Sequence, residues 1–176
     1  PIELDPVTPS TVYIGYSKLW KSTNNGSTWS STSQNFPTGN IDVFAIAPSN
    51  TQIIYVAINN DFYRSTNGGA SWTALQISGT SSITGITVSN VNANQVWVSR
   101  SGYGNGSKVF ESTNGGTTWT NISGSLPSLP ANCIVFENGS LSGVYVGTDV
   151  GVYYRDATMS DWTPFFNGLP NLMVFD

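Results

Sequence analysis

The sequence has little charge, no histidine and a single cysteine. Only 9% of its 176 residues are charged, against about 25% in an average globular protein. Without histidine the chain contains no Ser-His-Asp triad, no histidine-ligated metal and no imidazole base. Cys133 alone forms neither an internal disulfide nor a thiolate metal cluster. No acidic stretch has the spacing of a calcium-binding loop, so we expect no cofactor and no metal site.

Basic residues and long hydrophobic runs are also scarce. Six basic against ten acidic residues give a net charge of −4, which argues against binding to a nucleic-acid backbone. The longest apolar runs, such as Ile53–Ile58, are far shorter than the roughly 20 residues that span a bilayer. The residues that build helical bundles are few, and Ile and Val outnumber Leu, so we expect strands.

The sequence repeats itself four times. Three segments share the pattern Ser-Thr-Asn-x-Gly-x-Ser/Thr-Trp, and a fourth is a divergent copy. The segments are Ser22–Trp29, Ser65–Trp72, Ser112–Trp119 and Arg155–Trp162. Their tryptophans are 43, 47 and 43 residues apart. A period of this length is typical of architectures built from stacked supersecondary units.

Short apolar strands recur around this motif, four in each period, which we name A to D in chain order. Strand C leads into the motif, and strand D begins at its tryptophan. Strand A occurs five times, at Ile2–Leu4, Val43–Ala47, Ile83–Val88, Cys133–Phe136 and Leu172–Phe175. Four strands in about 40–45 residues is the period of a propeller blade. We predict an all-β propeller of four four-stranded blades, with repeats at residues 2–42, 43–82, 83–132 and 133–171, and a further inner strand starting at 172–176.

The repeated motif has the chemistry of a tight turn. Asparagine side chains bond to turn backbone groups, glycine supplies a positive φ, and tryptophan anchors the hairpin in apolar packing. The residues given these structural roles are Asn24, Gly26, Trp29, Asn67, Gly69, Trp72, Asn114, Gly116, Trp119 and Trp162.

The motif resembles the Asp-box, or BNR, repeat, whose signature is Ser/Thr-x-Asp-x-Gly-x-x-Trp. Asparagine replaces the aspartate in three copies, and the fourth copy lacks the glycine. Sialidases, sortilin-type receptors, xyloglucan hydrolases and a photosystem assembly factor carry such boxes. The resemblance implies a propeller whose boxes lie at the C–D turns, on the face away from the active site. The boxes therefore indicate fold rather than function.

Two longer stretches, Lys108–Pro130 and Val144–Pro170, resemble large secreted Bacteroidetes proteins that carry type IX secretion sorting domains. That resemblance implies a secreted or cell-surface bacterial protein, of which this chain is one module. Four sets of strands B to D with five A strands favour an arc of a larger ring. We expect the rest of the propeller or a partner chain to cover the open sheet edges.

Candidate ligand-binding residues lie on the B–C loops. Because strands alternate in direction, the A–B and C–D turns share one face, and the B–C loops share the other, where the family resemblance places ligands. The candidates are Tyr16, Lys18, Asn59, Asp61, Arg100, Tyr103, Asn105 and Asp149. The longest loop, Arg100–Ser107, carries a cation, an aromatic ring and an amide, which suit a sugar or a polar peptide. A solvent loop that only lengthens the hairpin is the alternative.

The arginines argue against a sialidase, which needs three of them around one carboxylate. Arg64 and Arg155 share a repeat position beside the outer turn and are expected to be structural, which leaves only Arg100. A glycosidase pair remains open, since Asp61 and Asp149 both lie on B–C loops, two blades apart. We assign no catalytic residue and keep these two aspartates as the alternative.

The sequence therefore favours a non-catalytic binding or scaffold module for a glycan or a protein. The first alternative is part of a xyloglucanase-like or sialidase-like glycoside hydrolase whose remaining catalytic residues lie outside this chain. The second alternative is a component or cargo of a secretion or surface assembly.

Overall fold

A computed structural model describes residues 1–32, 36–37, 39–104, 106–140 and 142–175, and all regular secondary structure in them is β-strand. The first sheet contains β1 (Ile2–Leu4), β2 (Val12–Gly15), β3 (Leu19–Ser22) and β4 (Ser30–Ser31). The second contains β5 (Val43–Ile46), β6 (Ile54–Ile58), β7 (Asp61–Ser65) and β8 (Thr73–Leu75). The third contains β9 (Ile83–Val88), β10 (Val96–Arg100), β11 (Val109–Ser112) and β12 (Thr120–Asn121). The fourth contains β13 (Ala131–Phe136), β14 (Val144–Thr148), β15 (Gly151–Arg155) and β16 (Thr163–Pro164).

Each sheet is antiparallel, with its four strands hydrogen-bonded in chain order. The first strands of all four sheets line one central cavity of about 240 Å³, to which they contribute Glu3, Ala45, Thr87 and Val135. The sheets therefore radiate from a common axis as blades, which confirms the predicted four-bladed propeller arrangement. The described part of the chain contains no helix long and apolar enough to cross a membrane.

The central blades are buried by their neighbours. Every residue of β6 and of β10 is buried, because each of these strands has a blade on both sides. The short outer strands β4, β12 and β16 are exposed instead. The hydrophobic core therefore lies between the blades, and the stacking of one sheet on the next is its main source.

The box turns are closed by a serine and an asparagine. In the second blade, Ser65 Oγ accepts hydrogen bonds from the N–H of Asn67 (3.2 Å) and of Gly69 (2.8 Å), and it donates to Asn67 Oδ1 (3.0 Å). The same Oδ1 accepts from the N–H of Ser71 (2.9 Å), and Gly69 has a φ of +92°. The first and third boxes repeat these bonds and the positive φ, which confirms the predicted turn chemistry.

Asparagine fits the family's aspartate position because its amide both accepts and donates. Asn67 Nδ2 donates to Ser71 Oγ (2.9 Å) while Oδ1 receives the backbone. The divergent fourth turn uses another device, in which Asp156 Oδ1 accepts from the N–H (2.8 Å) and the hydroxyl (2.7 Å) of Thr158. The bonds from Thr158 lower the pKa of the Asp156 carboxyl. An aspartate-capped turn of this kind accounts for the missing glycine.

Box tryptophans pack against the preceding blade. Trp119 of the third blade meets Phe62 of the second edge-on, with 5.2 Å between ring centroids. Trp162 of the fourth blade is 5% exposed, and its Nε1 donates to the Ile122 carbonyl of the third (2.6 Å). Trp29 belongs to the first blade and is 37% exposed. The exposure of Trp29 follows from the lack of a preceding blade in the described chain.

One position in the second strand of each blade holds a small residue. The small side chain leaves space for the chain segment that packs against this strand. The four small residues are Gly15, Ala57, Ser99 and Gly147. A Cβ on Gly15 would lie 2.9 Å from Ile41 Cγ2, and one on Gly147 would lie 2.8 Å from Val174 Cγ1. Val174 N–H also donates to the Thr148 carbonyl (2.9 Å), yet residues 172–175 form no strand, so the predicted fifth strand there is wrong. The segment docks on the fourth blade but has no sheet of its own to join.

We expect Ser22→Ala to lower the free energy of unfolding by about 1–3 kcal/mol, because it leaves the Gly26 N–H without its acceptor. Ser27→Ala is the matched control in the same turn, since Ser27 is exposed and the second box has Ala70 there. Its effect should stay within about 0.5 kcal/mol. Urea unfolding of both variants measures the difference, and equal effects would contradict the proposed role of the serine.

The two terminal tryptophans provide a second test. Trp162→Ala should destabilise the chain by about 3–5 kcal/mol, because the side chain is buried against the third blade. Trp29→Ala should cost at least about 2 kcal/mol less, because Trp29 retains more exposure. Thermal and urea unfolding monitor both variants. A larger loss of stability for Trp29→Ala than for Trp162→Ala would show that the box tryptophans do not stabilise the protein through contact with the preceding blade.

Candidate functional site

The two faces of the propeller are distinct. On one face, Gly68 N–H of a box turn donates to the Gln52 carbonyl of an A–B turn (2.9 Å), and the first and third blades repeat this bond. We call this surface the box face. On the other face, the N–H of Ser101 in a B–C loop donates to the carbonyl of Ser82, which lies in the connection between blades (2.9 Å). We call that surface, formed by the B–C loops and these connections, the loop face.

In two of the candidate loops, backbone N–H groups form hydrogen bonds that stabilise the turn. Tyr16 is 62% exposed, and its N–H donates to the carbonyl of half-buried Lys18 (2.9 Å). Asn59 has a φ of +53°, and its N–H donates to Asp42 Oδ2 (2.6 Å). Asn59 is therefore a left-handed turn residue. Of these candidates, only the Tyr16 ring presents a large apolar surface to solvent.

Asp61 lies in a strand, so its predicted loop position is wrong. It is the first residue of β7, half-buried, and pairs with Ile58 across a hairpin of only two residues, Asn59 and Asn60. The hairpin is this short because Asn59 adopts the left-handed conformation that two-residue turns require.

The structure brings together two candidates that are 46 residues apart. The Tyr103 hydroxyl lies 3.4 Å from Asp149 Oδ2, and Asn132 Nδ2 donates to Asp149 Oδ1 (3.0 Å). Tyr103 is 76% exposed, whereas Asp149 and Asn132 are half-buried. The three residues, which we call the Tyr103 cluster, join the third and fourth blades on the loop face. Asn132 had no signal in the sequence, because it precedes the apolar part of its strand.

Arg100 was predicted to be an accessible ligand contact, and this is wrong. It is the last residue of β10 and is fully buried, with Nη1 donating to the Ser81 carbonyl (2.6 Å) and Nη2 to that of Ile77 (3.4 Å). Its guanidinium carbon lies 5.5 Å from the centre of the Phe110 ring. Burial lowers the pKa of Arg100. The arginine holds the connection between the second and third blades.

Lys108 is a residue that the sequence interpretation missed. It is 3% exposed, and its Nζ donates to the Gly102 carbonyl. Burial lowers the pKa of this ammonium group. A cavity of about 90 Å³ opens beside it, lined by Ser81, Ser101, Gly102, Tyr103, Gly104, Ser107 and Lys108. A lysine at the start of a strand gives no sequence signal that distinguishes a buried cation from an exposed one.

The remaining arginines have structural contacts, as their repeat position indicated. Arg64 Nη2 donates to Asn94 Oδ1 (2.6 Å) in the next blade, and Arg155 Nη1 donates to the Ile122 carbonyl (3.0 Å) in the preceding one. Neither side chain joins Arg100 on the loop face. Asn105, the remaining candidate, lies outside the described residues.

Two tyrosines and a glutamate also meet on the box face. Tyr154 donates to Glu137 Oε2 (2.8 Å) and Tyr145 to Oε1 (3.3 Å). The hydrogen bond to Glu137 raises the pKa of Tyr154. Tyr154 also lies 3.3 Å from Asp156 Oδ2 in the fourth box turn, so these bonds connect β15 to the turns on the box face. Among the described residues, no group of three or more acidic or cysteine side chains is arranged to hold a metal ion.

Solved structures with the same fold include glycoside hydrolases. An ancestral GH74 enzyme superposes with a TM-score of 0.77 at 27% identity, over 94% of this chain and 23% of that one. The GH74 xyloglucanase from Xanthomonas campestris gives 0.76 at 15% identity, over 97% and 30%. The extracellular domain of a one-component system from B. thetaiotaomicron gives 0.65 at 14% identity, over 96% and 23%. This chain thus spans about a quarter of the length of these structures.

No curated protein matches the sequence significantly. A match does occur to the family model described as Sortilin, neurotensin receptor 3, over residues 17–138. The matched region begins in the B–C loop before β3 and ends just after β13. Because this match covers more than half of its length, the chain belongs to the Sortilin-Vps10 family of propeller proteins.

Proposed function

We propose that the chain is a non-catalytic binding module that takes a glycan on its loop face, at the Tyr103 cluster. The observation that carries this proposal is the position of the Tyr103 ring, 76% exposed with its hydroxyl 3.4 Å from Asp149. The cluster contains residues of the third and the fourth blade, so a ligand bound there contacts both blades.

The chemistry of the cluster suits a sugar. An exposed tyrosine ring offers a flat apolar surface, and its hydroxyl offers a polar edge. A carboxylate beside the ring is a strong acceptor for hydroxyl groups. Asn132 holds Asp149 in place before a ligand arrives (3.0 Å), and such preorganisation lowers the cost of binding.

We further propose that the parent protein is exported to the surface of a bacterial cell or secreted, and that it is of the Bacteroidetes type IX kind. The resemblance of the third and fourth repeats supports this origin, and one structure of the same fold is an extracellular domain. The low charge of the chain, 9%, agrees with a protein of that location.

Further blades of a longer ring, or a partner chain, cover the two end faces in this proposal. At the first blade Ile2, Leu4 and Val7 are each more than 60% exposed. At the other end Leu172 and Phe175 are equally exposed. Apolar groups clustered in this way are ordinarily buried in an interface.

A glycoside hydrolase segment is the second candidate, favoured by the 27% identity to an ancestral GH74 enzyme. Its catalytic aspartates would be Asp61 and Asp149. Two features argue against it. Both carboxylate oxygens of Asp149 already have hydrogen-bond partners, Asn132 and Tyr103, and Asp61 is a half-buried strand residue.

We expect Tyr103→Ala to weaken binding of the best glycan-array ligand at least about tenfold, which corresponds to about 1.4 kcal/mol. The lost contact is the apolar ring surface, so stability should be unchanged, because Tyr103 is 76% exposed. Tyr16→Ala is the matched control, an exposed tyrosine on another B–C loop. Isothermal titration calorimetry measures all three proteins.

Binding that survives Tyr103→Ala but fails in Tyr16→Ala would move the site to the first blade and overturn the assignment. A protein ligand captured through Tyr103, with no glycan bound on the array, would overturn the choice of ligand class.

The hydrolase candidate has its own test, in which reducing ends are assayed after incubation of the chain with xyloglucan. We expect no turnover. Turnover that Asp61→Asn and Asp149→Asn each abolish, while Asp42→Asn leaves it intact, would establish catalysis and contradict the proposed non-catalytic function. Asp42 is a suitable control because it caps the Asn59 turn on the same face (2.6 Å).

A further inference from the structure

Two cationic residues, Arg100 and Lys108, flank the B–C loop of the third blade, and the Arg100 N–H donates to the Lys108 carbonyl (2.8 Å). Arg100 is fully buried and Lys108 is 3% exposed. Charged side chains are almost never buried to this degree unless an opposite charge compensates them. Within the described part of the chain, no carboxylate forms an ion pair with either group, and burial alone lowers the pKa of both.

The protein satisfies these cations only in part. Arg100 bonds to the carbonyls of Ser81 and Ile77, but its Nε has no partner among the described residues. Among the described residues, Lys108 Nζ donates a single hydrogen bond, to the Gly102 carbonyl. An ammonium group carries three donors, so two remain available. Lys108 thus retains hydrogen-bonding capacity.

Lys108 also lines a small cavity whose walls carry several hydroxyl groups. The cavity of about 90 Å³ is lined by Lys108 together with Ser81, Ser101 and Ser107. A water molecule occupies about 30 Å³ of liquid volume, so this space is too small for a sugar ring and suits one small polar group. Asp149 does not line the cavity, and the lining residue with which it shares a hydrogen bond is Tyr103, through the hydroxyl group.

We propose that this cavity binds one oxyanion group of the ligand, a carboxylate or a sulfate ester, on Lys108. The inference deepens the proposed function and rests on it, since Tyr103 lines the cavity and also offers its ring to the ligand. An anion there supplies the opposite charge that buried Lys108 lacks among the described residues. It also accepts hydrogen bonds from Nζ, and bonds to an ionised partner are about twice as strong as neutral ones. The ligand is therefore an acidic glycan.

The first experiment uses small anions and does not require the glycan. Sodium acetate and sodium sulfate are titrated into the chain, with sodium chloride at equal ionic strength as baseline, and amide shifts of Gly102, Gly104 and Ser107 are followed by NMR. We expect saturable shifts with at least one oxyanion. Lys108→Met should abolish them, whereas Lys18→Met, at a half-buried loop lysine, should not.

Folding of the variant is checked by its unfolding midpoint. Methionine fills a similar volume without a charge to desolvate, so we expect the Lys108→Met midpoint to be equal or higher. Linear shifts in the wild type, or saturable shifts that persist in folded Lys108→Met, would show that Lys108 only braces the Gly102 carbonyl. Either result overturns the inference.

The second experiment compares oligosaccharides. A carboxylated oligogalacturonide, a sulfated carrageenan oligosaccharide and a neutral xyloglucan oligosaccharide are titrated by calorimetry. We expect one charged ligand to bind at least tenfold more tightly than the neutral one, and Lys108→Met to remove that preference. Whichever charged ligand is preferred identifies the source of the oxyanion.

Failure of this inference can be distinguished from failure of the proposed function. Tight but equal binding of neutral and charged ligands, lost in Tyr103→Ala, overturns the oxyanion site and retains the glycan-binding function. Saturable acetate or sulfate shifts without binding of any oligosaccharide overturn the glycan ligand and retain the anion cavity.

Discussion

The serine hydroxyl at the start of the first three boxes forms the hydrogen bonds on which most of the fold depends. Ser65 Oγ binds two backbone N–H groups of the turn, and it orients Asn67, which binds a third. Together these bonds reverse the chain in a few residues without tertiary help. The reversal places Trp72 where it meets Phe36 beside the preceding blade (5.3 Å). The local turn therefore positions the tryptophan for the contacts between blades that form the core.

The same constraint separates stability from function. Box turns and A–B turns are bonded to each other on one face, so substitutions there disturb the stacking of blades. The B–C loops on the loop face form hydrogen bonds to the connections between blades instead, and they differ in length. The loop of the third blade, which contains Tyr103 and is followed by buried Lys108, is the one that departs most from a two-residue hairpin. Its extra length lets it reach Asp149 in the next blade.

The fold could be predicted because its signals are local and repeated. Serine, asparagine, glycine and tryptophan recur in register, and each contributes to a turn that spans fewer than ten residues. The parts that the sequence did not reveal depend on distant partners. Burial of Arg100 requires the carbonyls of Ile77 and Ser81, and Asp149 acquires its role from Asn132 and Tyr103. Asp61 was misplaced because the left-handed Asn59 shortened its loop.

The central claim is that the loop face between the third and fourth blades is where a ligand binds. The most direct measurement is an amide chemical-shift map of the labelled chain with a bound acidic oligosaccharide. We expect the largest perturbations to cluster at Tyr103, Asn132 and Asp149, with the box turns unaffected. Perturbations centred on the box turns, or on the exposed end face around Leu172, would contradict it.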